Sequence, residues 1–329
     1  MAFHLRIFAL AVAGLVLLAA PRAEAADRLE VLLDWYVNPD HATLVVAKEK
    51  GFFAAEGLDV DLVAPSDPND PPKLVAAGKA DVAVTYQPQL VLQVDQGLPL
   101  KRFGTLVATP LNSVVVLADG PVKSLADLKG KRIGYSIAGF EDVLLGTMLR
   151  RAGVSLADVT LVNVNFSLVP ALLAGQVDAV IGAYRNVELV QMAAQKKPGR
   201  AFPVEEGGIP LYDELILAAR ADRLDDPRLP RFLAALERAS AFVLNHPDEA
   251  WNAFAKAHPD LADAQNREIW ELTIPRLAQS PGALDPVRYA RLARFMADEK
   301  LIEAPRPVGD YAVTVGAVPG KAAAGGTPR

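Results

Sequence analysis

Leu74-Val75-Ala76-Ala77-Gly78-Lys79-Ala80-Asp81 closes an apolar helix on a glycine and opens the apolar run Asp81–Thr85 on an aspartate. Leu172-Leu173-Ala174-Gly175-Gln176-Val177-Asp178 repeats the arrangement ahead of Asp178–Gly182. Glycine suits the left-handed residue that ends a helix, and a short β-branched run after it reads as a strand. Tyr86 follows its aspartate by five positions and Tyr184 by six. Helix–Gly–Asp–strand units are common in α/β proteins. Read more sharply, the echo describes two similar lobes, each setting a Tyr at the carboxyl end of a strand, where ligands of open α/β sheets sit.

The same alternation extends outward from both segments. Strands are expected at Arg28–Leu33, Leu58–Ala64 and Phe103–Ala108. Helices are expected from the Asn38-Pro39-Asp40 start, from Pro71–Ala77 with Asp70 as cap, and over Gln89–Gln96. After the turn signal Asp119-Gly120-Pro121 the pattern restarts, with strands at Arg132–Ser136 and Thr160–Val164 and helices at Glu141–Arg151, Val169–Ala174 and Asn186–Gln195. From Pro227 to Lys300 it becomes mostly helical. The expectation is an α/β fold of two lobes, with largely parallel sheets flanked by helices and a helical C-terminal region.

Composition narrows the function. Of 329 residues, 34 are Lys or Arg and 39 Asp or Glu, a net charge of −5. That balance argues against nucleic acid as partner, which needs a basic surface. The absence of Cys excludes a disulfide scaffold, a thiolate metal site and a Cys nucleophile. The N-terminus reads as a secretory signal peptide at 1–25: Arg6, the apolar run Ile7–Ala20, then small residues before a cut after Ala25. Its removal leaves a chain of charge −6 destined for the periplasm, with a disordered Gly/Ala/Pro tail at 316–329.

No P-loop, G-x-S-x-G, H-E-x-x-H or G-x-G-x-x-G motif occurs, so no catalytic residue, metal or cofactor is expected. His246 and His258, each before a Pro, read as solvated helix ends. The informative residues cluster where strands end: Asp34-Trp35-Tyr36-Val37-Asn38-Pro39-Asp40-His41, Thr85-Tyr86-Gln87, Tyr135 through Glu141, and Gly182 through Glu188. Trp35, Tyr86 and Tyr184 could stack a flat ring, and a carboxylate could accept from an amino-heterocycle edge. Each aromatic could equally cover a sheet end.

Leu33-Asp34-Trp35…Asn38…His41, Lys48-Glu49-Lys50-Gly51-Phe52-Phe53, Gly78-Lys79-Ala80-Asp81-Val82, Leu128 through Tyr135, and Gly182-Ala183-Tyr184-Arg185-Asn186-Val187-Glu188 together resemble the ThiY-like family. These are periplasmic binding proteins of ABC importers for the pyrimidine precursor of thiamine, alongside pyrimidine synthases. The resemblance implies a two-lobe type II periplasmic binding fold. Lobe one would be discontinuous, at 26–115 and 214–315, with lobe two at 116–213. It implies a monomer that binds a 4-aminopyrimidine between the lobes by hinge closure and serves an inner-membrane ABC permease. Trp35, Asn38, His41, Tyr86, Tyr184 and Glu188 become pocket residues by the same resemblance, with Glu188 on the amino group and a ring nitrogen. The synthase branch carries a Lys and a His where Thr85 and Gln89 stand, and a Cys-rich motif that is absent here, so a non-enzyme is expected. Two rivals remain: a binder of taurine, an alkylsulfonate or a similar anion through Arg185, and an exported pyrimidine-processing enzyme.

Overall fold

The computed structural model describes residues 26–316. The expected leader at 1–25, and the expected tail except Gly316, lie outside the described residues. The chain runs through β1 (Asp27–Leu32), α1 (Ala42–Glu49), α2 (Phe52–Ala55), β2 (Leu58–Val63), α3 (Pro71–Ala76), β3 (Val82–Thr85), α4 (Gln87–Asp95) and β4 (Leu100–Val107). It crosses to β5 (Asn112–Leu117) and continues with β6 (Arg132–Tyr135), α5 (Glu141–Arg151), β7 (Thr160–Asn163), α6 (Leu168–Leu173), β8 (Ala179–Tyr184), α7 (Glu188–Ala194) and β9 (Gly199–Pro203). It crosses back to β10 (Leu215–Arg220) and ends in α8 (Arg228–Asn245), α9 (Pro247–Ala257), α10 (Ala264–Thr273) and α11 (Pro286–Asp298).

Two five-stranded sheets result, in the orders β2-β1-β3-β10-β4 and β7-β6-β8-β5-β9. Each has a parallel half, β2-β1-β3 or β7-β6-β8. The strand that crosses from the other sheet, β10 or β5, runs antiparallel to both of its neighbours. The sheets are therefore mixed, parallel where helices return the chain and antiparallel where it changes sheet. The first crossing lies between β4 and β5, so β5 belongs wholly to the second sheet.

The opening echo has a structural counterpart. Gly78 and Gly175 take positive φ of 70° and 67°, ending their helices. Asp81 Oδ2 accepts from the Glu30 amide and Asp178 Oδ2 from the Arg132 amide, both at 2.9 Å. Each aspartate thus ties the start of its strand to the neighbouring parallel strand. Local expectations met two exceptions. Asp70 makes no side-chain cap for α3. The Asn38-Pro39-Asp40 start is a 3-10 turn over Pro39–His41, capped by Asn38, that feeds α1.

Of the C-terminal helices, α8 packs on α1, α2 and β2 beside the first sheet, and α9 packs on α1 and α8. Phe53 on α2 stacks on Phe232 of α8 with ring centroids 5.1 Å apart. Leu229, Phe232, Leu233, Leu236, Ala239 and Val243 recur at three- and four-residue spacing and are buried. Among the described residues, no helix is long and apolar enough to cross a membrane.

Candidate functional site

The carboxyl ends of the central strands of both sheets converge on one cavity. It holds about 490 Å³ of empty space, its mouth included. Asp34, Trp35, Asn38, Asp40 and Tyr86 line it from the first sheet, and Ile137, Phe140, Glu141, Gly182, Tyr184 and Glu188 from the second. Five of the six expected pocket residues therefore meet: Trp35, Asn38, Tyr86, Tyr184 and Glu188. His41 does not line the cavity. It is fully buried one layer beneath, where Nε2 lies 2.9 Å from Asp34 Oδ1 and Nδ1 accepts from the Asn38 amide at 3.3 Å. With Nδ1 accepting, Nε2 carries the proton toward Asp34. The Tyr86 hydroxyl donates to Asp34 Oδ2 at 2.9 Å, so both Asp34 oxygens are engaged.

The second sheet contributes two carboxyls on one plan, because α5 and α7 each begin with a Glu just after a strand. Glu188 Oε2 accepts from the Tyr184 amide at 2.6 Å. Glu141 Oε2 accepts from the Ser136 and Ile137 amides at 2.7 and 3.2 Å. The Glu188 carboxyl is also held by its own backbone amide. Burial pushes each carboxyl up to about 8; the backbone donors oppose the shift without cancelling it. Burial thus favours the neutral acid in both, a form that can donate as well as accept.

Asp40 completes the acidic wall. Its Oδ1 accepts from Asn186 Nδ2 at 2.7 Å and from the Thr273 hydroxyl at 2.9 Å, while its buried Oδ2 has no partner. Burial raises its pKa too. Its charge also raises Glu188.

The cavity has aromatic walls, and contacts between the sheets close it. Tyr86 stacks on Phe140 with centroids 5.2 Å apart and planes 9° from parallel. Trp35 meets Phe166 edge-on at 4.6 Å. The Asn69 amide group bridges to Ser136 O and the Ala138 amide at 3.2 and 3.1 Å. At the crossings, Glu214 Oε2 accepts from the amides of Leu111 and Asn112, and the hydroxyls of Tyr184 and Tyr212 donate to the same carboxyl. Burial raises Glu214 to about 7.

No Lys or Arg lines the cavity. Arg185, which an anion site would need, pairs with Glu205 at 2.7 Å and donates to Pro110 O. Thr85 donates to Gln89 at 2.7 Å, and neither lines the cavity. No group of three or more His, Asp and Glu that could hold a metal occurs among the described residues. Sequence reasoning missed Asp40 and Glu141 as pocket residues. Glu141 carried a usable signal, since it stands five positions after Ser136 much as Glu188 stands four after Tyr184.

Two sheets exchanging one strand each, with a lined cavity where their carboxyl ends face, define the periplasmic binding protein fold. The alkanesulfonate-binding protein SsuA of Xanthomonas axonopodis pv. citri bound to MOPS shares it: TM-score 0.68, 17% identity, 87% of this chain and 98% of that one covered. The family model described as NMT1/THI5 like matches residues 38–250, and the chain belongs to that family. A Haemophilus influenzae protein named for thiamine biosynthesis is 52% identical over 292 residues, covering 88% of this chain and 93% of its own. The formylaminopyrimidine-binding protein of Halalkalibacterium halodurans is 37% identical over 231 residues, 70% of each chain.

One expectation is corrected by the same comparisons. The 4-amino-5-hydroxymethyl-2-methylpyrimidine phosphate synthase of Uromyces fabae is 28% identical over 268 residues, 78% of each chain. Synthases from Aspergillus parasiticus and Saccharomyces cerevisiae match as well. The family mixes binding proteins with enzymes, so the non-enzyme expected from the sequence does not follow from membership in it.

Proposed function

We propose that the chain binds a 4-aminopyrimidine precursor of thiamine, formylaminopyrimidine or hydroxymethylpyrimidine, in the cavity between the sheets. The observation that carries this reading is that Glu188 and Asp40 share the cavity wall, with Asp40 Oδ2 unpartnered and its charge raising Glu188. A neutral Glu188 donates to a ring nitrogen while Asp40 accepts from the amino group, which matches the donor–acceptor edge of an aminopyrimidine. Trp35, Tyr86 and Tyr184 cover the ring faces, and Asn38 offers a further amide. His41 acts through Asp34, which it orients toward Tyr86. A cavity without Lys or Arg disfavours the sulfonate alternative, which needs a fixed cation or a cluster of amide donors.

In this reading 26–111 with 214–315 forms lobe one and 112–213 lobe two, because β5 pairs wholly in the second sheet rather than dividing at 115/116, and the crossings at Leu111–Asn112 and Tyr212–Glu214 are the hinge. Residues 1–25 direct the chain to the periplasm and are cut off after Ala25. The closed monomer is presented to an ABC permease of the inner membrane. Micromolar to nanomolar affinity corresponds to about −8 to −12 kcal/mol.

Calorimetry on residues 26–329 with hydroxymethylpyrimidine, formylaminopyrimidine, taurine and an alkylsulfonate tests it. The expected result is saturable binding of the pyrimidines alone. Binding of the sulfonates alone would overturn the ligand class.

A further inference from the structure

The turn after β7 carries a segment that the ligand reading leaves unused, Asn163-Val164-Asn165-Phe166. Its shape is fixed within the second sheet. The Asn165 amide donates to Asn163 Oδ1 at 2.9 Å, the Phe166 amide donates to Asn165 Oδ1 at 2.8 Å, and the Ser136 hydroxyl donates to the Asn165 carbonyl. Asn165 takes φ of +50°, a conformation that Asn adopts more readily than most residues. The ring of Phe166 is met by two rings from just past β1 of the first sheet. Trp35 meets it edge-on with centroids 4.6 Å apart, and Tyr36 meets it tilted by 37° at 4.5 Å. Trp35 also packs on the apolar cluster of the second sheet around Leu168, Val169 and Val180. These contacts run outward from the cavity. Trp35 lines it, Phe166 packs on Trp35 without lining it, and Tyr36, 53% exposed, packs on Phe166 without lining it either.

Resting on the reading of this cavity as a pyrimidine site that closes between two lobes, we propose that Phe166 is a positioning residue for ligand retention: with Tyr36 it clasps Trp35 against the second lobe and sets how fast the ligand leaves. Trp35 and Tyr36 belong to one lobe and Phe166 to the other, so parting the lobes must part all three rings. Neither Phe166 nor Tyr36 reaches the cavity, so what either does to binding passes through Trp35 and the closed arrangement. A contact made only on closure stabilises the complex and not the encounter, so it acts on release and not on entry. Two aromatic pairs lost together are worth about 10-fold.

Stopped-flow fluorescence on residues 26–329 with 4-amino-5-hydroxymethyl-2-methylpyrimidine tests it. Trp35 on the cavity wall supplies the signal, and calorimetry gives Kd independently. Phe166→Ala is expected to raise the dissociation rate about 10-fold and to leave the association rate within about 2-fold. Phe166→Tyr, which keeps the ring, should keep the wild-type rates. Tyr36→Ala removes one of the two pairs and should raise dissociation about 3-fold. Tyr36→Ala combined with Phe166→Ala should add little to Phe166→Ala alone, because both act on one clasp. A dissociation rate in Phe166→Ala within about 2-fold of wild type overturns the proposal. So does slower association at unchanged dissociation, which would mean that Phe166 shapes the empty cavity. If Phe166→Ala does not fold, Tyr36→Ala at its exposed position decides, and an unchanged dissociation rate there overturns the proposal too. Those results leave the pyrimidine reading standing; failure of wild type to bind the pyrimidine by fluorescence or calorimetry removes that reading and this one with it.

Discussion

The turns that follow β3 and β8 start from one plan and end in different chemistry. Both strands open on an Asp that accepts the neighbouring strand's amide, and both finish on a Tyr in the cavity wall. After Tyr86 the chain enters α4 through Gln87-Pro88, and Gln87 turns away to accept the Asp213 amide at 2.8 Å. After Tyr184 it enters α7 on Glu188, whose carboxyl folds back onto the strand. The shared half of the plan fixes where a side chain reaches the cavity. The residue opening the next helix decides what the cavity can read. The first sheet thus offers aromatic faces, an Asp34 satisfied within the protein and a buried Asp40, and the second offers two acids that burial raises.

If that division governs binding, removing an acid from the second sheet should cost more than removing a ring from the first. Glu188→Ala is expected to weaken binding of hydroxymethylpyrimidine about 100-fold, near 3 kcal/mol, because it leaves a ring nitrogen buried without a donor. Calorimetry against wild type measures this, and a change below 3-fold would break the comparison. Glu214→Ala acts on the joint between the two halves. It strips the Leu111 and Asn112 amides of their acceptor and is expected to cost about 2 kcal/mol, roughly 3 °C in thermal unfolding.

Much of this division was legible in the sequence. Gly78 and Gly175 marked helix ends because positive φ leaves few alternatives, and the apolar runs after them could be little but strands. Tyr86, Tyr184 and Glu188 stood out because a strand end is a local feature. His41 becomes a pocket residue only by the family resemblance of the Leu33–His41 segment. The 3-10 turn rotates His41 under the sheet end while leaving Asn38 and Asp40 at the cavity. That rotation is set by packing, which spacing does not encode. The pairing of Asp40 with Asn186 and Thr273 was beyond reach for a related reason. It joins residues 146 and 233 positions apart, through the docking of α10 and the second sheet on the first turn.

The acids of the second sheet also predict a pH dependence. Glu141 and Glu188 are raised to about 8 and Glu214 to about 7, so the folded chain retains protons that unfolded carboxyls release near their ordinary values. A fold that binds more protons than its unfolded state loses stability as pH rises. Unfolding temperature should therefore fall by at least a few degrees between pH 5 and 8, and level off above. Thermal scans across that range check the sign, and Glu141→Gln with Glu188→Gln should flatten the slope. Trp35→Ala, on the first-sheet side, is expected to weaken binding about 10-fold through loss of ring contact, with the pH slope unchanged.

The smallest effect belongs at the rim, where the halves also touch. Arg150 and Arg151 at the end of α5 both reach Glu299, just past α11, with Arg151 at 3.7 Å. The pairs join the end of α5 to the end of α11. Both arginines are about half exposed, however, and exposed ion pairs contribute about 0–1 kcal/mol because water and salt screen them. The Asn186–Asp40–Thr273 cluster makes the same kind of bridge without solvent, where an unpaired group is costly. Glu299→Ala should therefore shift pyrimidine affinity by less than about 3-fold, and less still at high salt. A loss of 10-fold or more would mean that closure is held at the rim. The cavity acids would then read a ligand in a cleft that something else has already shut.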